Sequence, residues 1–346
     1  MQDGTSKFHE VKWPEKQRSD IRPFFLPFLG CKARCIFCAQ ELQTGVTATD
    51  NYSNFISRLM ALGRSLQDCL EIGHKPPELA FYGGTFMALP QNFWKTSLET
   101  AYAWQKAGLI SSWRCSTRPD GISRERLRAM ADCGCTLVEL GIQSFSSRAL
   151  TLSGRGYDCE QVFEAIQKVT AAGVKAGAQL MPGMPGSIPE IFLQDVRTAL
   201  SARVACMRLY PCLVIDGSAL ASLWQNGAFK PWSLETTLDT LAQAWLMALQ
   251  ADTPVIRMGL APEAGLEKAI LAGPKHASLG SRVIGRALLS YVKSRVHATA
   301  RLEVWLPPAL HGCVWGWQGE LRPFWQRLNL AKMNFWRKNS LRFEWE

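Results

Sequence analysis

The chain has 346 residues, with 39 Lys and Arg against 29 Asp and Glu, for a formal net charge of +10. Hydrophobic residues make up 47% and charged residues 20%. This mixture excludes a disordered polyelectrolyte, a collagen and a small disulfide scaffold, and it supplies ample apolar material for one or two cores. No apolar run, Leu241–Leu249 included, approaches the ~18–20 residues of a membrane helix. Met1 to Trp13 is polar and charged, without the apolar centre of a signal peptide. Eleven scattered cysteines predict reduced thiols rather than a secreted disulfide framework, and hence a cytoplasmic protein with no membrane attachment.

Taken in chain order, residues 1–21 form an N-terminal extension. From residue 22 to about residue 250, short apolar stretches alternate with segments of helical spacing. The stretches are Phe24–Leu29, Leu79–Tyr82, Trp113–Ser116, Leu137–Leu140, Ala176–Met181 and Cys206–Tyr210. Helical spacing shows in Phe55, Leu59, Leu62 and Leu66, in Val162, Ile166 and Val169, and in Leu238, Leu241, Trp245 and Leu249. Ser123 and Ser233 are placed as helix starts. Six strand–helix units predict an α/β fold with a parallel sheet, a partial (β/α)6 TIM-like barrel in the first place and a doubly wound open sheet in the second.

After residue 250 the pattern changes. Pro254–Leu260, Leu302–Leu306 and Leu341–Trp345 read as strands and Arg282–Val296 as a helix, which predicts a small α+β appendage over 251–346. The charge is concentrated there: 25 basic and 22 acidic residues lie in 1–250, against 14 and 7 in 251–346. Six of the thirteen tryptophans lie in this tail. Trp315, Trp317, Trp325 and Trp336 interleave with Arg322, Arg327, Lys332, Arg337 and Lys338. Cations that neutralise phosphates beside rings that stack on bases suit single-stranded or looped RNA, while buried tryptophans under a solvated basic face would look the same in sequence.

The sharpest local signal is Gly30-Cys31-Lys32-Ala33-Arg34-Cys35-Ile36-Phe37-Cys38, a C-x3-C-x2-C spacing directly after the first strand. A structural zinc takes four protein ligands. A [4Fe–4S] cluster held by Cys31, Cys35 and Cys38 leaves one iron open to a ligand. In a parallel barrel the site lies at the carboxyl ends of the strands. The other strands end at Tyr82-Gly83-Gly84-Thr85, Ser116-Thr117-Arg118-Pro119-Asp120, Gly141-Ile142-Gln143-Ser144, Met181-Pro182-Gly183-Met184-Pro185-Gly186 and Arg208-Leu209-Tyr210-Pro211. Six polar or glycine-rich loops at equivalent ends predict one shared site. Cys115, Cys133, Cys135 and Cys206 read as buried structural thiols, Cys212 as a thiol that could face the site, His276 as a solvated or capping group, and Tyr82 and Tyr210 as packing residues.

The cysteine spacing, with Phe37 before the last cysteine, resembles that of the radical SAM superfamily. The resemblance implies a [4Fe–4S] cluster and S-adenosylmethionine as cofactors. It also implies an electron donor of flavodoxin or ferredoxin type, and reductive cleavage to methionine and a 5′-deoxyadenosyl radical that abstracts hydrogen from substrate. It assigns Gly83, Gly84 and Thr85 to the methionine amino group, Gln143 and Arg155 to the polar groups of S-adenosylmethionine, and Met181 to the adenosine border, with Ser116 and Asp120 as further candidates. The runs around Cys31, Gly83, Ser116, Gln143 and Met181 are similar to the radical SAM half of the Elongator catalytic subunit and its bacterial relatives, which act on a wobble uridine of tRNA. That similarity covers about residues 20–250, and no acetyl-CoA loop is found in 251–346. It makes tRNA a candidate partner through the basic tail. Oxygen-independent coproporphyrinogen oxidases share the Gly-Ile-Gln-Ser and Gly-Arg patterns but carry a further cysteine where this chain has Gln40. A non-catalytic iron–sulfur protein that binds RNA and a structural zinc protein are the remaining alternatives.

Overall fold

The computed structural model describes residues 7–12, 20–48, 51–260, 264–296 and 301–345. Its strands are β1 (Lys7–Lys12), β2 (Ile21–Phe25), β3 (Glu78–Tyr82), β4 (Ser112–Thr117), β5 (Cys135–Gln143), β6 (Lys175–Leu180), β7 (Cys206–Leu209), β8 (Val214–Ile215), β9 (Val255–Met258), β10 (Ile270–Ala272), β11 (Leu302–Leu306), β12 (Leu330–Phe335) and β13 (Ser340–Trp345).

Seven of them form one curled sheet in the order β2-β3-β4-β5-β6-β7-β9, and every neighbouring pair is parallel. Parallel neighbours need a crossover, and the main helices supply it: Tyr52–Glu71, Gln91–Lys106, Arg124–Asp132, Cys159–Ala171, Pro189–Ser201 and Leu234–Gln250. This is the partial barrel that the alternation predicts. It has one strand more than the six expected, because β9, read from sequence as part of the appendage, pairs with β7. An apolar run identifies a strand but not its partner, and helix Leu234–Gln250 returns the chain to the open edge of the sheet.

Helix starts follow local chemistry. The Ser123 and Ser233 hydroxyls accept from the backbone N–H groups of Arg126 and Thr236, as anticipated. Asp158 and Gln161 form a reciprocal capping box that was not anticipated. Strands covered on both faces are nearly continuously apolar, and Phe81, Phe86 and Trp113 pack with ring centroids 5.0–5.9 Å apart.

The second sheet has the order β1-β13-β11-β12. β1, from the segment read as an extension, lies antiparallel to β13 at the other end of the chain. Leu302, Val304, Leu306, Leu341 and Phe343 point inward and join one apolar core with Val283, Ala287 and Leu288 of helix Leu279–Lys293. Arg286 of that helix pairs with Glu235 and Asp239 at 2.6 and 2.7 Å, tying it to helix Leu234–Gln250. Among the described residues no helix is long and apolar enough to cross a membrane.

Candidate functional site

The loop after β2 is shaped by backbone conformation before any cofactor is considered. Phe28 and Gly30 both have positive φ, 58° and 77°. The cysteine loop and the Gly83–Thr85 loop interlock through main chain: Thr85 N–H donates to Leu29 O at 2.8 Å. A Cβ at Gly84, whose φ is +58°, would stand 2.1 Å from Leu29 O, and one at Gly30 would stand 2.5 Å from Thr85 O. Only glycine permits that approach at these two positions. Gln40 clamps the junction: its Oε1 accepts from Phe28 N–H at 2.6 Å and from Gly84 N–H at 2.8 Å. Gln40, noted in the sequence as the departure from the coproporphyrinogen oxidase pattern, therefore joins the two loops.

Cys31, Cys35, Cys38, Gly83, Gly84, Ser116, Gln143, Arg155 and Met181 all line one cavity of about 470 Å³ at the carboxyl ends of the strands. Thr85 does not line it. Its buried hydroxyl lies 3.3 Å from Cys31 Sγ, so it braces the cysteine loop from behind. Asp120 is also outside the cavity wall, bound by Arg118 through two hydrogen bonds of 2.8 and 2.9 Å. Cys212 is buried away from the cavity, its thiol pushed up to about 12 by burial, and it packs as a core residue. His276 takes a hydrogen bond from Ser278 N–H at 3.0 Å and meets the Trp317 ring edge-on, as a local cap.

The thiols are held among cations. Arg155 is buried and directs Nη1 to Cys35 Sγ at 2.9 Å, while Arg118 reaches the same sulfur at 3.6 Å. The remaining Arg155 donors go to Gly141 O and Tyr157 Oη. Burial raises the Cys31 thiol, and burial together with the nearby Cys35 and Cys31 pushes Cys38 up to about 12. Thiols so desolvated keep their protons until a cation replaces them. Among the described residues no three His, Cys, Asp or Glu side chains gather closely enough to grip one metal ion.

Gln143 ends β5 with φ +68°, a conformation that residues other than glycine, asparagine, aspartate and histidine seldom adopt. Its Oε1 is buried with no hydrogen-bond partner. An unsatisfied buried acceptor and a strained backbone at one cavity residue are features of a ligand site. Asp195 secures this loop from behind, accepting from Ser144 Oγ at 2.6 Å and Phe145 N–H at 2.8 Å. Burial raises the Asp195 carboxyl to about 6.

The barrel interior beneath is charged. Glu139, 1% exposed, accepts from Tyr82 Oη at 2.8 Å, Gln179 Nε2 at 3.1 Å and Arg208 Nη2 at 3.0 Å. Arg114 lies 3.5 Å from Glu139 and pairs with Glu78. Burial acts to raise the Glu139 carboxyl, but Arg208 and these hydrogen bonds hold it below the ordinary range. Tyr82, Gln179, Arg208, Tyr210 and Arg257 also line the cavity. Tyr82 and Tyr210 are thus members of a polar network rather than packing residues. Sequence reading did not assign Gln40, Arg118, Glu139, Gln179, Arg208 or Arg257. The available signal was a charge within three of the apolar strands: Arg114 in β4, Glu139 in β5 and Arg208 in β7.

A curled parallel half-barrel with a three-cysteine loop and glycine-lined turns converging on one cavity defines an α/β half-barrel protein that carries its site at the carboxyl ends of the strands. The radical SAM superfamily profile matches residues 25–199, and that of the radical SAM C-terminal domain matches residues 204–287; the chain belongs to the radical SAM superfamily, whose members are enzymes. A tRNA uridine(34) acetyltransferase of Methanocaldococcus infernus is 31% identical over 249 residues, covering 61% of this chain and 46% of the relative. Elongator complex protein 3 of Schizosaccharomyces pombe is 27% identical over 311 residues, covering 76% and 57%. The chain spans about half the length of the curated relatives it matches. The solved structure of archaeal M. infernus Elp3 superposes with a TM-score of 0.59 at 23% identity, covering 80% of this chain and 63% of that one. Coproporphyrinogen III oxidase of Escherichia coli gives 0.51 at 17%, covering 67% and 53%. Both show a shared fold.

Proposed function

We propose that this chain cleaves S-adenosylmethionine reductively and directs the resulting radical chemistry at a nucleoside of RNA, with tRNA uridine as the substrate class. The observation that carries the reading is the convergence of Cys31, Cys35 and Cys38 with an unsatisfied Gln143 amide on one cavity. The three thiols would hold a [4Fe–4S] cluster. Arg155 and Arg118 offset the negative charge that thiolates held out of water carry. Gly83, Gly84, Gln143, Arg155, Ser116 and Met181 would surround S-adenosylmethionine. When bound, cluster and S-adenosylmethionine together supply a 5′-deoxyadenosyl radical that takes a hydrogen atom from the substrate. The protein's own task is to bind, orient and exclude water, and the Gln40 clamp and the Gly84–Leu29 interlock keep the two binding loops in register. An electron donor of flavodoxin or ferredoxin type in a reducing cytoplasm is the setting this chemistry asks for.

The RNA part of the reading is supported by the names of the relatives and by the basic tail. The test is anaerobic purification, iron and sulfide analysis, and 5′-deoxyadenosine formation with reductant, with and without tRNA. The reading expects about four irons per chain and cleavage stimulated by tRNA. Zinc without iron, or a fully clustered protein that leaves S-adenosylmethionine intact, overturns it.

A further inference from the structure

We propose that the outward face of the four-stranded sheet β1-β13-β11-β12 is a platform on which unpaired nucleotides of an RNA stack. The proposal rests on the RNA reading above and names the surface that would meet the RNA. Strand alternation creates the face. In β11 and β13 the residues Leu302, Val304, Leu306, Leu341 and Phe343 are buried, while Trp305 and Arg342 between them are partly exposed. In β1, Phe8 is 62% exposed.

These outward side chains form a ladder across the sheet. The Arg342 guanidinium lies 4.9 Å from the Phe8 ring centre and 5.8 Å from that of Trp305. Trp305 and Trp336 are 6.4 Å apart, and the Lys338 ammonium stands 4.9 Å from the Trp336 ring. Rings and cations thus alternate over three strands and the β12–β13 connection. Asn334 is the register partner of Trp305, and its Nδ2, like Arg342 Nε, is buried beneath the face with no hydrogen-bond partner among the described residues.

Charge selects the occupant. The acids of this sheet are engaged: Glu344 by Arg342, Glu303 by Arg301 at 3.6 Å, and Glu10 by the Ser340 hydroxyl at 2.6 Å. Lys12, Lys332, Arg337 and Lys338 are exposed and form no ion pair among the described residues. Unpaired cations flanking the exposed Phe8 ring and the half-buried Trp305 and Trp336 rings fit a polyanion with flat, stackable groups. An acidic peptide would use the cations but leave the rings idle. A duplex keeps its bases paired away from them. Four-stranded sheets with exposed rings are a recurring device for reading unpaired bases, and base–ring stacking is tolerant of sequence.

The tail tryptophans therefore divide. Trp336 belongs to the face, whereas Trp325 is 1% exposed and donates to Val314 O at 2.9 Å, a core residue unavailable for stacking.

The test uses the full chain and three fluorescent probes: a single-stranded RNA of about twelve nucleotides, its duplex, and a polyglutamate peptide of matched charge. The single strand should bind most tightly and quench tryptophan emission. Trp305→Ala with Trp336→Ala should weaken it about tenfold or more without changing the salt slope. Lys332→Ala with Lys338→Ala should lower that slope by about 1.4, at ~0.7 per phosphate contact on a single strand. Trp336→Phe, which keeps a ring, should restore most of the affinity and guards against misfolding as the cause. Equal binding of polyglutamate or duplex overturns the proposal, as does unchanged RNA affinity in the double tryptophan variant. Cleavage of S-adenosylmethionine without RNA should be the same in these variants. If RNA binds the face but never stimulates cleavage, the substrate reading fails while the platform stands. If RNA stimulates cleavage equally in the double tryptophan variant, the platform fails while the substrate reading stands.

Discussion

The parallel sheet and the C-terminal sheet handle polar residues in opposite ways. In the parallel sheet, β5 is buried at every position except Thr136, so a charged side chain within it has no access to water. Glu139, Arg114 and Arg208 are therefore gathered into one hydrogen-bonded set. In the C-terminal sheet, β11 alternates between buried and half-buried positions, and its outward charges remain in water. Identical residue types, an Arg beside a Glu, are thus an obligatory pair in the first sheet and an optional one in the second. Burial, and not the pairing itself, decides how much each matters.

This contrast can be pressed experimentally, beginning with the site at the end of the parallel sheet. Cys35→Ala should abolish 5′-deoxyadenosine formation in anaerobically reconstituted protein; retention of near-parental turnover would break the link between that sheet's loops and the chemistry. Next in size, Glu139→Ala leaves Arg208 without its buried counter-charge and should lower stability by ~3–5 kcal/mol in urea denaturation. Glu344→Ala on the outward face should cost at most ~0.5 kcal/mol, so equal losses would erase the distinction.

Asp195 gives a pH signature to the loop after β5. Its folded carboxyl titrates near 6 against an ordinary value of 3.8, so the native state holds the extra proton between those values. Stability from this group is full below the unfolded value and is lost as pH rises through about 6, amounting to ~3 kcal/mol at most. Asp195→Asn should flatten that decline, measured by urea unfolding from about pH 4 to about pH 7; an unchanged slope would remove Asp195 as its source. Gly84→Ala forces a side chain into a positive-φ position 2.1 Å from Leu29 O and should cost ~1–3 kcal/mol. It should also weaken S-adenosylmethionine binding in calorimetry. Parental affinity in that variant would show that the interlocked loops tolerate separation.

The strand–helix alternation, the loops at the carboxyl ends and the cysteine spacing were legible because each is local. Period, turn residues and ligand spacing are written within a few positions of one another. Gln143 and Met181 came from resemblance and do face the cavity. Thr85 and Asp120 came by the same route, yet they brace neighbours instead. The roles of Gln40, Glu139, Arg208 and Asp195 stayed hidden because each depends on a partner at least twelve residues away, up to 69 for Glu139 and Arg208.

By itself, the sequence determined that this chain would build a parallel half-barrel and set three thiols at its first strand end. Hydrophobic period and covalent spacing act over short stretches of chain. Tertiary structure alone decided that β9 completes the parallel sheet and that β1 crosses from the far end of the chain to pair with β13. It also decided which charged residues are sealed inside and which tryptophans face outward. Those outcomes follow from which surfaces meet, and burial is a property of the assembled molecule.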